Sequence, residues 1–316
     1  MKSSMRSMVR QRESRGKPRF SAKRLSWERM EPVIIANLSS GTGRRDRLER
    51  CIEILHTAGA APEIRETEAP GHATTLARRA GARLVIAAGG DGTINEIVNG
   101  LSPGATLGVL PLGTANVLAR ELGIPLSPEA ACRRILAGKS RKIDLGVARN
   151  AEGRERRFAC MAGLGFDALV VRSVPPGLKR RLGAPAFVLT ALNVHFRSRL
   201  PLLEINAGGR LHRARFVIVA NGHFYGGSYR VARESLLDNG SLHVTVIEDT
   251  STLLRPDVLI RILVRRPLED CLPAFTVRRL SARSVEAPVP VQLDGEPWGE
   301  LPMRFRVEPG ALSVVC

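Results

Sequence analysis

The residue types best suited to chemistry in this chain stand together in residues 84–100, LVIAAGGDGTINEIVNG. An apolar segment of β type ends in a cluster of glycines around Asp91, and a helix-compatible segment, 94–100, follows directly. Glycine allows a sharp turn and a close approach of the backbone to a ligand, and the N–H groups at the start of a helix attract an anion. The Asp91 carboxylate is suited to holding Mg²⁺ or accepting a proton. The pattern predicts a site for nucleotide phosphates.

The alternative is an ordinary βα connection that is merely rich in glycine. The strand–turn–helix context favours the phosphate site, because a phosphate loop requires that context. The segment is not a Walker A loop, since no lysine follows the glycines, and it is not a Rossmann dinucleotide fingerprint.

The elements around this segment alternate between strand and helix from residue 32 to about residue 138. Such alternation predicts a parallel sheet covered by helices, and ligands of these sheets bind at the carboxyl ends of the strands. The three loops that follow strands are therefore expected at one edge of the sheet. The predicted strands are 33–36, 63–66, 84–88 and 107–110, the predicted helices are 44–58, 73–80 and 94–100, and the loops are 37–43, 89–93 and 111–116.

From about residue 143 the pattern changes to short strands, which predict a β-rich second domain. Gly208 and Gly209 lie between two of these strands, as in a hairpin turn. Two helical stretches, 178–200 and 253–264, interrupt the strands as an inserted helical element. The predicted strands are 158–161, 202–205, 216–220, 242–247, 289–293 and 305–307.

Composition excludes several classes of protein. A chain of 316 residues with 44% apolar residues is long enough for two globular domains. No apolar run reaches the roughly 20 residues that span a bilayer. Five scattered cysteines without a C-x-x-C pair argue against a disulfide framework and structural zinc, and they indicate a cytoplasmic protein.

The net charge of +18 has two sources. Residues 1–30 hold ten Lys and Arg against two Glu, which predicts a disordered basic tail without the apolar core of a secretory signal. The remaining excess belongs to the folded part and suits anionic lipid or nucleic acid. Nucleic acid is the weaker alternative, because aromatic residues are few and no nucleic-acid-binding motif occurs. We therefore expect no nucleic-acid partner.

Residues 89–100 (GGDGTINEIVNG) and 108–116 (GVLPLGTAN) resemble the catalytic domain of diacylglycerol kinases. The closest resemblance is to the soluble bacterial lipid kinases, which are related to sphingosine kinases and, more remotely, to NAD kinases. Three further segments match in order: 37–41 (NLSSG) an N-P-x-S-G turn, 236–240 (LLDNG) a metal-binding turn, and 293–296 (LDGE) a late D-G-E element.

The resemblance extends from residue 32 to the last residue and implies a fold of α/β plus β class. The expected parts are an N-terminal Rossmann-like domain with a parallel sheet and a C-terminal β-sandwich-like domain, with the active site in the cleft between them. The last strands are expected to return to the first domain. The expected boundaries are 1–30 for the tail, 31–140 for the nucleotide-binding domain and 141–316 for the lipid-substrate domain.

The resemblance also implies ATP and Mg²⁺ as cofactors, with a set of nucleotide-contacting residues around the three loops. Thr93 is expected to cap the following helix as well, and for Thr114 a helix cap alone is the alternative. The implied set is Asn37, Thr67, Gly89, Gly90, Asp91, Gly92, Thr93, Asn95, Glu96, Gly113, Thr114 and Asn116.

Glu296 is the catalytic base that the resemblance implies, since phosphoryl transfer to a hydroxyl needs a group that orients or deprotonates the attacking oxygen. The alternative is that Asp294 and Gly295 form only a hairpin turn, for which Asp-Gly is a strong signal. Asp91 is a rival for the role of base, because the sphingosine-kinase branch favours the aspartate of the glycine loop.

A second-domain metal site is implied at Leu236, Asp238, Asn239 and Ser241. The chain departs from the family pattern here, because Asn239 stands where a ligand carboxylate is usual, and a neutral side chain offers Mg²⁺ a weaker oxygen ligand. It departs again at Val117, where family members commonly have an aspartate.

These observations together predict an ATP-dependent lipid kinase that transfers the γ-phosphoryl group to a hydroxyl of a diacylglycerol-like lipid. The alternatives are an NAD-kinase-like activity on a soluble substrate and a non-catalytic lipid- or nucleotide-binding regulator. We expect peripheral docking on an anionic membrane through residues 178–199 and 253–266. The alternative for both segments is packing on the second domain with solvated basic faces. A homodimer is compatible with the sequence.

Overall fold

Strands and helices alternate in the first part of the chain. The computed structural model describes residues 23–24, 31–38, 43–81, 83–175, 177–178, 182, 184–198, 200–227, 229–233 and 237–316. The first strands are β1 (Lys23–Arg24), β2 (Val33–Ala36), β3 (Glu63–Glu66), β4 (Leu84–Gly89) and β5 (Thr106–Pro111), and the first helices are α1 (Arg44–Thr57), α2 (His72–Arg79), α3 (Asp91–Gly100), α4 (Val117–Glu121) and α5 (Pro128–Leu136).

Four of these strands form a parallel sheet in the order β3-β2-β4-β5. β2 and β4 are buried along their whole length, because helices cover both faces of such a sheet, and this explains their continuous apolar sequence. Helix α1 buries Leu48, Cys51 and Leu55, which the helical repeat places on one side. The parallel-sheet domain predicted from the sequence is confirmed.

The rest of the chain is mainly β-structure, and three further α-helices have bounds within the described residues. The strands are β6 (Lys139–Asn150), β7 (Glu155–Phe158), β8 (Met161–Gly165), β9 (Leu203–Ala207), β10 (Arg210–Ala214), β11 (Phe216–Ala220), β12 (Phe224–Tyr225), β13 (Tyr229–Arg230), β14 (Leu242–Ile247), β15 (Ala274–Val277), β16 (Arg279–Ser284), β17 (Pro290–Leu293), β18 (Glu296–Glu300) and β19 (Met303–Val315), and the helices are α6 (Phe166–Ser173), α7 (Ala184–Arg197) and α8 (Pro256–Leu263).

Two large sheets, a small sheet of β12 and β13, and a layer of helices are described in this second domain. One sheet has the order β15-β14-β11-β8-β17-β18, and Leu164 and Val291 on one of its faces pack with Phe305 of the sheet that contains β19. On the other face, Phe216 packs with Val194 of α7 and with helices α6 and α8. The sandwich-like second domain predicted from the sequence is confirmed.

Strand β19 connects the two domains. It pairs in antiparallel fashion with β6 along most of its length, and its last residues pair in parallel with β5 through Ser313 and Val314. The parallel sheet of the first domain and one sheet of the sandwich are therefore one continuous sheet.

Several local expectations are corrected. The strand expected at 158–161 is interrupted, because residues 159 and 160 form a bend between β7 and β8. The helix expected at 253–264 begins at Pro256 and follows a 3₁₀ turn, Thr250–Leu254. The helix expected at 178–200 is described as α7, and residues 179–181, 183 and 199 lie outside the described residues. Most of the tail expected at 1–30 also lies outside them, but Lys23–Arg24 form β1, paired with β6.

Candidate active site

The loops after β2, β4 and β5 lie side by side at one edge of the parallel sheet. The N–H of Asn37 donates to the carbonyl of Ala88 at 3.0 Å, and the N–H of Leu112 donates to the carbonyl of Gly89 at 3.0 Å. The N–H of Thr67, which follows β3, donates to the carbonyl of Ala36 at 2.9 Å. This edge is the one at which ligands bind in open α/β sheets. Part of the first loop, 39–42, lies outside the described residues.

Two of these loops touch through glycine backbones. A Cβ atom placed on Gly113 would lie 2.5 Å from the Cα of Gly90, and one placed on Gly90 would lie 3.3 Å from the Cα of Gly113. Only glycine fits at position 113, because the clash would be with backbone. Gly90 is also the N-cap of α3, and no side chain caps that helix. The first N–H groups of α3 are thus available to an anion, as a phosphate site requires.

Asp91 is the first residue of α3 rather than part of an extended turn, which corrects the expectation that the helix begins at Ile94. Its Oδ1 accepts a hydrogen bond from the N–H of Val117, the first residue of α4, at 2.6 Å. Burial raises the pKa of Asp91 above its ordinary value, and the hydrogen bond from Val117 opposes that shift. The carboxylate therefore stands at the start of two helices, with an affinity for protons above that of an exposed aspartate.

The D-G-E element is a tight hairpin turn between β17 and β18. Leu293 pairs with Glu296 across it, and Asp294 and Gly295 have φ angles of 48° and 84°. Two consecutive positive φ angles are typical of the type I′ turn, which favours Asp-Gly. The hairpin interpretation of this sequence therefore agrees with the backbone.

The same turn is anchored by the carboxylate of Asp294, which is partly buried. Asp294 accepts hydrogen bonds from the N–H groups of Ala159, Cys160 and Met161 at 2.7, 2.9 and 2.9 Å, and from Asn95 Nδ2 of α3 at 2.9 Å. Burial raises the pKa of Asp294, and these four hydrogen bonds act against the shift. Asp294 therefore joins the first domain to the turn.

Glu296, the next residue but one, reaches the glycine segment of the first domain. Its Oε1 lies 2.9 Å from the position that a Cβ atom on Gly92 would occupy. The absence of a side chain at position 92 lets the carboxylate approach the first turn of α3. The structure thus places both candidate bases, Glu296 and Asp91, beside the same helix N-terminus.

Other residues of the implied nucleotide set have partners within the protein. Asn95 is buried, and its Oδ1 accepts from Arg156 Nη2 at 2.7 Å. Glu96 accepts from the N–H groups of Gly71 and Ala73 at 2.8 and 3.1 Å and so caps α2. Their contact with nucleotide stays a prediction, and so does that of Thr67.

The expected helix caps are wrong. Thr93 is buried in the first turn of α3, against Gly89, and Gly90 holds the N-cap position. The helix after the second loop begins at Val117, with Asn116 rather than Thr114 at its N-cap. Asn116 has a φ of 48° and exchanges two hydrogen bonds with the backbone of Gly113, at 3.0 and 2.8 Å.

In the turn predicted to bind metal, side-chain oxygen atoms have partners within the protein. Asn239 Oδ1 accepts from the N–H and the hydroxyl of Ser241 at 2.9 and 2.8 Å, and Asp238 lies 3.6 Å from Arg141. Leu236 lies outside the described residues. Within the described part of the chain, no group of three His, Cys, Asp or Glu is arranged to hold a metal ion. Mg²⁺ in this turn stays a prediction.

Sequence reasoning missed two buried acids, Asp144 and Glu121. Asp144 accepts from the N–H groups of Gly240 and Gly310, each at 2.7 Å. Glu121 of α4 lies 2.8 Å from His223 Nδ1 in the second domain and also accepts from the N–H of Phe224. A single acid within an apolar stretch, as in KIDLGV around Asp144, is the signal that was available.

In this fold the glycine segment of a parallel-sheet domain meets a carboxylate of a β-sandwich-like domain, as the resemblance to diacylglycerol kinases implies. Residues 31–148 match the diacylglycerol kinase catalytic domain, and residues 160–316 match the YegS C-terminal NAD kinase beta sandwich-like domain. The chain belongs to the diacylglycerol kinase catalytic-domain family, of the YegS-like lipid kinase type.

Individual relatives agree with that family. The chain is 32% identical to "Diacylglycerol kinase" of Bacillus subtilis (strain 168), over 86% of this chain and 91% of that protein. It is 33% identical to "Probable lipid kinase YegS-like" of Pseudomonas aeruginosa, over 85% and 89% of the two chains. A solved structure of a putative diacylglycerol kinase from Bacillus anthracis has the same fold, with a TM-score of 0.74, 23% identity and coverage of 95% and 98%.

The variant Asp91→Asn tests the role of the Asp91 carboxylate in phosphoryl transfer. We expect phosphoryl transfer to fall by at least about 10²-fold, the scale of a lost electrostatic contact to the reacting group. Folding is expected to persist, because an asparagine Oδ1 can still accept from the N–H of Val117. Turnover and melting temperature are measured on the same preparation. Turnover near that of the wild type would remove Asp91 from the mechanism.

The variant Glu296→Gln separates a base from a structural turn residue. We expect transfer to be abolished while ATP binding persists, since a base acts on the acceptor rather than on the nucleotide. Calorimetric titration with ATP and a turnover assay give the two quantities. A parallel fall in both would assign Glu296 to metal or nucleotide binding, and no change in either would leave it as part of the hairpin alone.

Proposed function

We propose that the protein is an ATP-dependent lipid kinase that transfers the γ-phosphoryl group to the hydroxyl of a diacylglycerol-like lipid. The observation that supports this most directly is the position of Glu296. A carboxylate of the second domain lies against Gly92 at the N-terminus of α3, where a base and a phosphate site must meet for transfer to a hydroxyl. The names of the related kinases agree with the proposal.

The phosphate groups of ATP fit the edge where Gly90 meets Gly113. The backbone can approach a ligand there without side chains in the way, and the uncapped N-terminus of α3 offers N–H donors and the positive end of the helix dipole. A bound Mg²⁺ would neutralise charge on the phosphoryl oxygens. Asp91 is the first residue of α3, so its carboxylate is the one nearest in sequence to these N–H donors.

In the proposed reaction, the lipid hydroxyl oxygen forms a bond to the γ-phosphorus, and the bond from that phosphorus to the leaving oxygen of ADP breaks. The hydroxyl proton passes to a carboxylate, and Glu296 is the candidate because it enters the cleft from the second domain. Asp91 is the rival base, and its raised pKa makes it a stronger proton acceptor than an ordinary aspartate.

The identity of the molecule that accepts the phosphoryl group distinguishes this proposal from its alternatives. Labelled ATP is incubated with the protein and either a panel of lipids or NAD, and the products are separated by thin-layer chromatography. We expect a labelled, chloroform-soluble phospholipid. Labelled NADP would instead support an NAD-kinase-like activity, and no labelled product together with measurable ATP binding would support a non-catalytic regulator.

A surface on α7 and α8 supports the expected membrane partner. Most of the exposed large apolar side chains in the described residues lie on or beside these helices, with Phe196 73% exposed and Leu263 82% exposed. Ala186 and Val194 of α7 and Val258 of α8 are buried against the second sheet, so both helices have apolar residues on their inner and outer sides. Apolar patches of this kind are typical of membrane or protein contacts.

Basic residues surround the same patch. Arg197, Arg265 and Arg266 are exposed at the ends of α7 and α8, and cations beside an apolar patch favour an anionic bilayer. No helix in the described residues has the length and apolarity to cross a membrane. We therefore propose peripheral docking of α7 and α8 on anionic lipid, at which the lipid substrate would be reached.

Vesicle sedimentation tests this docking. Each cation near the surface contributes about 1 kcal/mol, so Arg265→Gln/Arg266→Gln should weaken binding to anionic vesicles roughly 30-fold, and high salt should release the wild type. The matched control is Arg133→Gln/Arg134→Gln, which removes the same charge from exposed positions on α5.

Three outcomes would contradict this docking surface. Equal binding to neutral and anionic vesicles without a salt effect would exclude the electrostatic contribution. Equal losses in the two double variants would exclude a specific contribution from α8. Loss of binding on deletion of residues 1–22 alone would assign the contact to the tail.

A further inference from the structure

A buried chain of hydrogen bonds lies beneath the turn that carries Glu296. Asp167, in the first turn of α6, accepts from the hydroxyl of Tyr225 at 2.5 Å and from Gln292 Nε2 at 2.6 Å. The Oε1 atom of Gln292 accepts from the N–H of Gly295 at 2.6 Å. Gln292 is 1% exposed and Asp167 8% exposed, so solvent does not compete for these bonds.

The packing leaves these side chains a single arrangement. A Cβ atom on Gly163 of β8 would overlap Oδ2 of Asp167 and would lie 2.6 Å from Nε2 of Gln292. The carboxylate and the amide therefore lie directly over the backbone of β8, which only glycine permits. The backbone of β8 therefore packs directly against both side chains.

The orientation of the Gln292 amide is fixed by the chemistry of its neighbours. A carboxylate only accepts hydrogen bonds when it is ionised, and a backbone N–H only donates. Asp167 therefore requires the NH₂ group of Gln292 on its own side, which directs Oε1 towards Gly295. If the Gln292 amide were rotated by 180°, its Oε1 atom would face the Asp167 carboxylate and its NH₂ group would face the N–H of Gly295. Neither hydrogen bond could then form.

The same chain of bonds reaches the first domain. Tyr225 follows Phe224, whose N–H donates to Glu121 of α4, and His223 lies 2.8 Å from the other oxygen of Glu121. Helix α4 follows the loop of Gly113 and begins where Asp91 binds Val117. The segment 223–225 is thus bonded to α4 on one side and to the support of the turn on the other.

Burying a carboxylate costs free energy unless the carboxylate gains hydrogen bonds or a charged partner. Burial raises the pKa of Asp167. A hydrophobic residue would fill the same space at lower cost. An apolar residue at position 167, however, would not fix the orientation of the Gln292 amide.

We propose that Asp167 and Gln292 are positioning residues that hold the Asp294-Gly295 turn so that Glu296 faces the N-terminus of α3. This inference rests on the proposed function, since it assigns to Glu296 the role of base. Loss of the Gln292–Gly295 bond would let the turn shift, and a misplacement of about 1 Å costs about 10²-fold in rate.

An exchange of the two side chains tests the proposal. Gln292→Glu places a second carboxylate against Asp167, and neither carboxylate can donate to the other while both are ionised. In Asp167→Asn/Gln292→Glu all three bonds can form again, because Asn at 167 accepts from Tyr225 and donates to Glu at 292, which accepts from Gly295. We expect kcat to fall about 10²-fold in Gln292→Glu and to return to within about threefold of the wild type in the double variant.

Two further measurements distinguish positioning from general destabilisation. KM for ATP is expected to stay within about twofold in both variants, and amide hydrogen exchange of residues 293–296 is expected to be faster in Gln292→Glu and restored in the double variant. The control Val246→Ala truncates a buried side chain of β14, a strand that β11 and β8 separate from β17. It should lower the melting temperature without changing kcat.

The outcomes separate this inference from the proposed function. A wild type that phosphorylates no lipid contradicts the function, whereas hydrogen exchange still reports on the turn. An unchanged kcat in Gln292→Glu, or a double variant as slow as Gln292→Glu, overturns the positioning role. A parallel change in kcat and in KM for ATP also overturns it, because the bonds would then serve nucleotide binding.

Discussion

The carboxylate of Asp294 is the interaction on which the site depends. It lies partly buried between the domains and accepts from three backbone N–H groups at the start of β8 and from the amide of Asn95 on α3. An acid held only by neutral donors is stable when every oxygen lone pair is used. Since Asn95 belongs to α3, whose N-terminus is the proposed phosphate site, this carboxylate ties α3 to the turn of Glu296.

Glycine supplies the complementary constraint, because the elements around the site approach each other at positions without side chains. Gly90 and Gly113 bring two loops of the first domain into backbone contact, and Gly92 lets Glu296 of the second domain approach α3. The site therefore combines glycine backbone with the carboxylates of Asp294 and Glu296. The arrangement keeps charged oxygen atoms close to a helix N-terminus without apolar side chains between them, which strengthens each electrostatic contact.

The sequence was sufficient for the architecture of the first domain and for the edge that carries its loops. Buried parallel strands are continuous apolar runs, and their glycine-rich ends mark the loops. The start of α3 at Asp91 and the caps of α3 and α4 were not predicted, because either side of a glycine cluster can begin a helix. Hydrogen bonds such as Asn95 to Asp294 join residues 199 positions apart, and no local pattern encodes them. Gln292 and Asp167 escaped notice for the same reason.

The pairing of β19 with β5 has a consequence for how the chain folds. Residues 313 and 314 lie beside residues 106 and 107, so the parallel sheet of the first domain is completed by a segment distant in sequence. Contacts of such separation slow folding, because the loop must close before the pairing stabilises anything. Until β19 arrives, β5 is an unprotected edge strand, a known template for aggregation. The sheet of the first domain is therefore complete only after β19 has paired with β5, so the folding of this domain depends on a strand from the far side of the second domain's sequence.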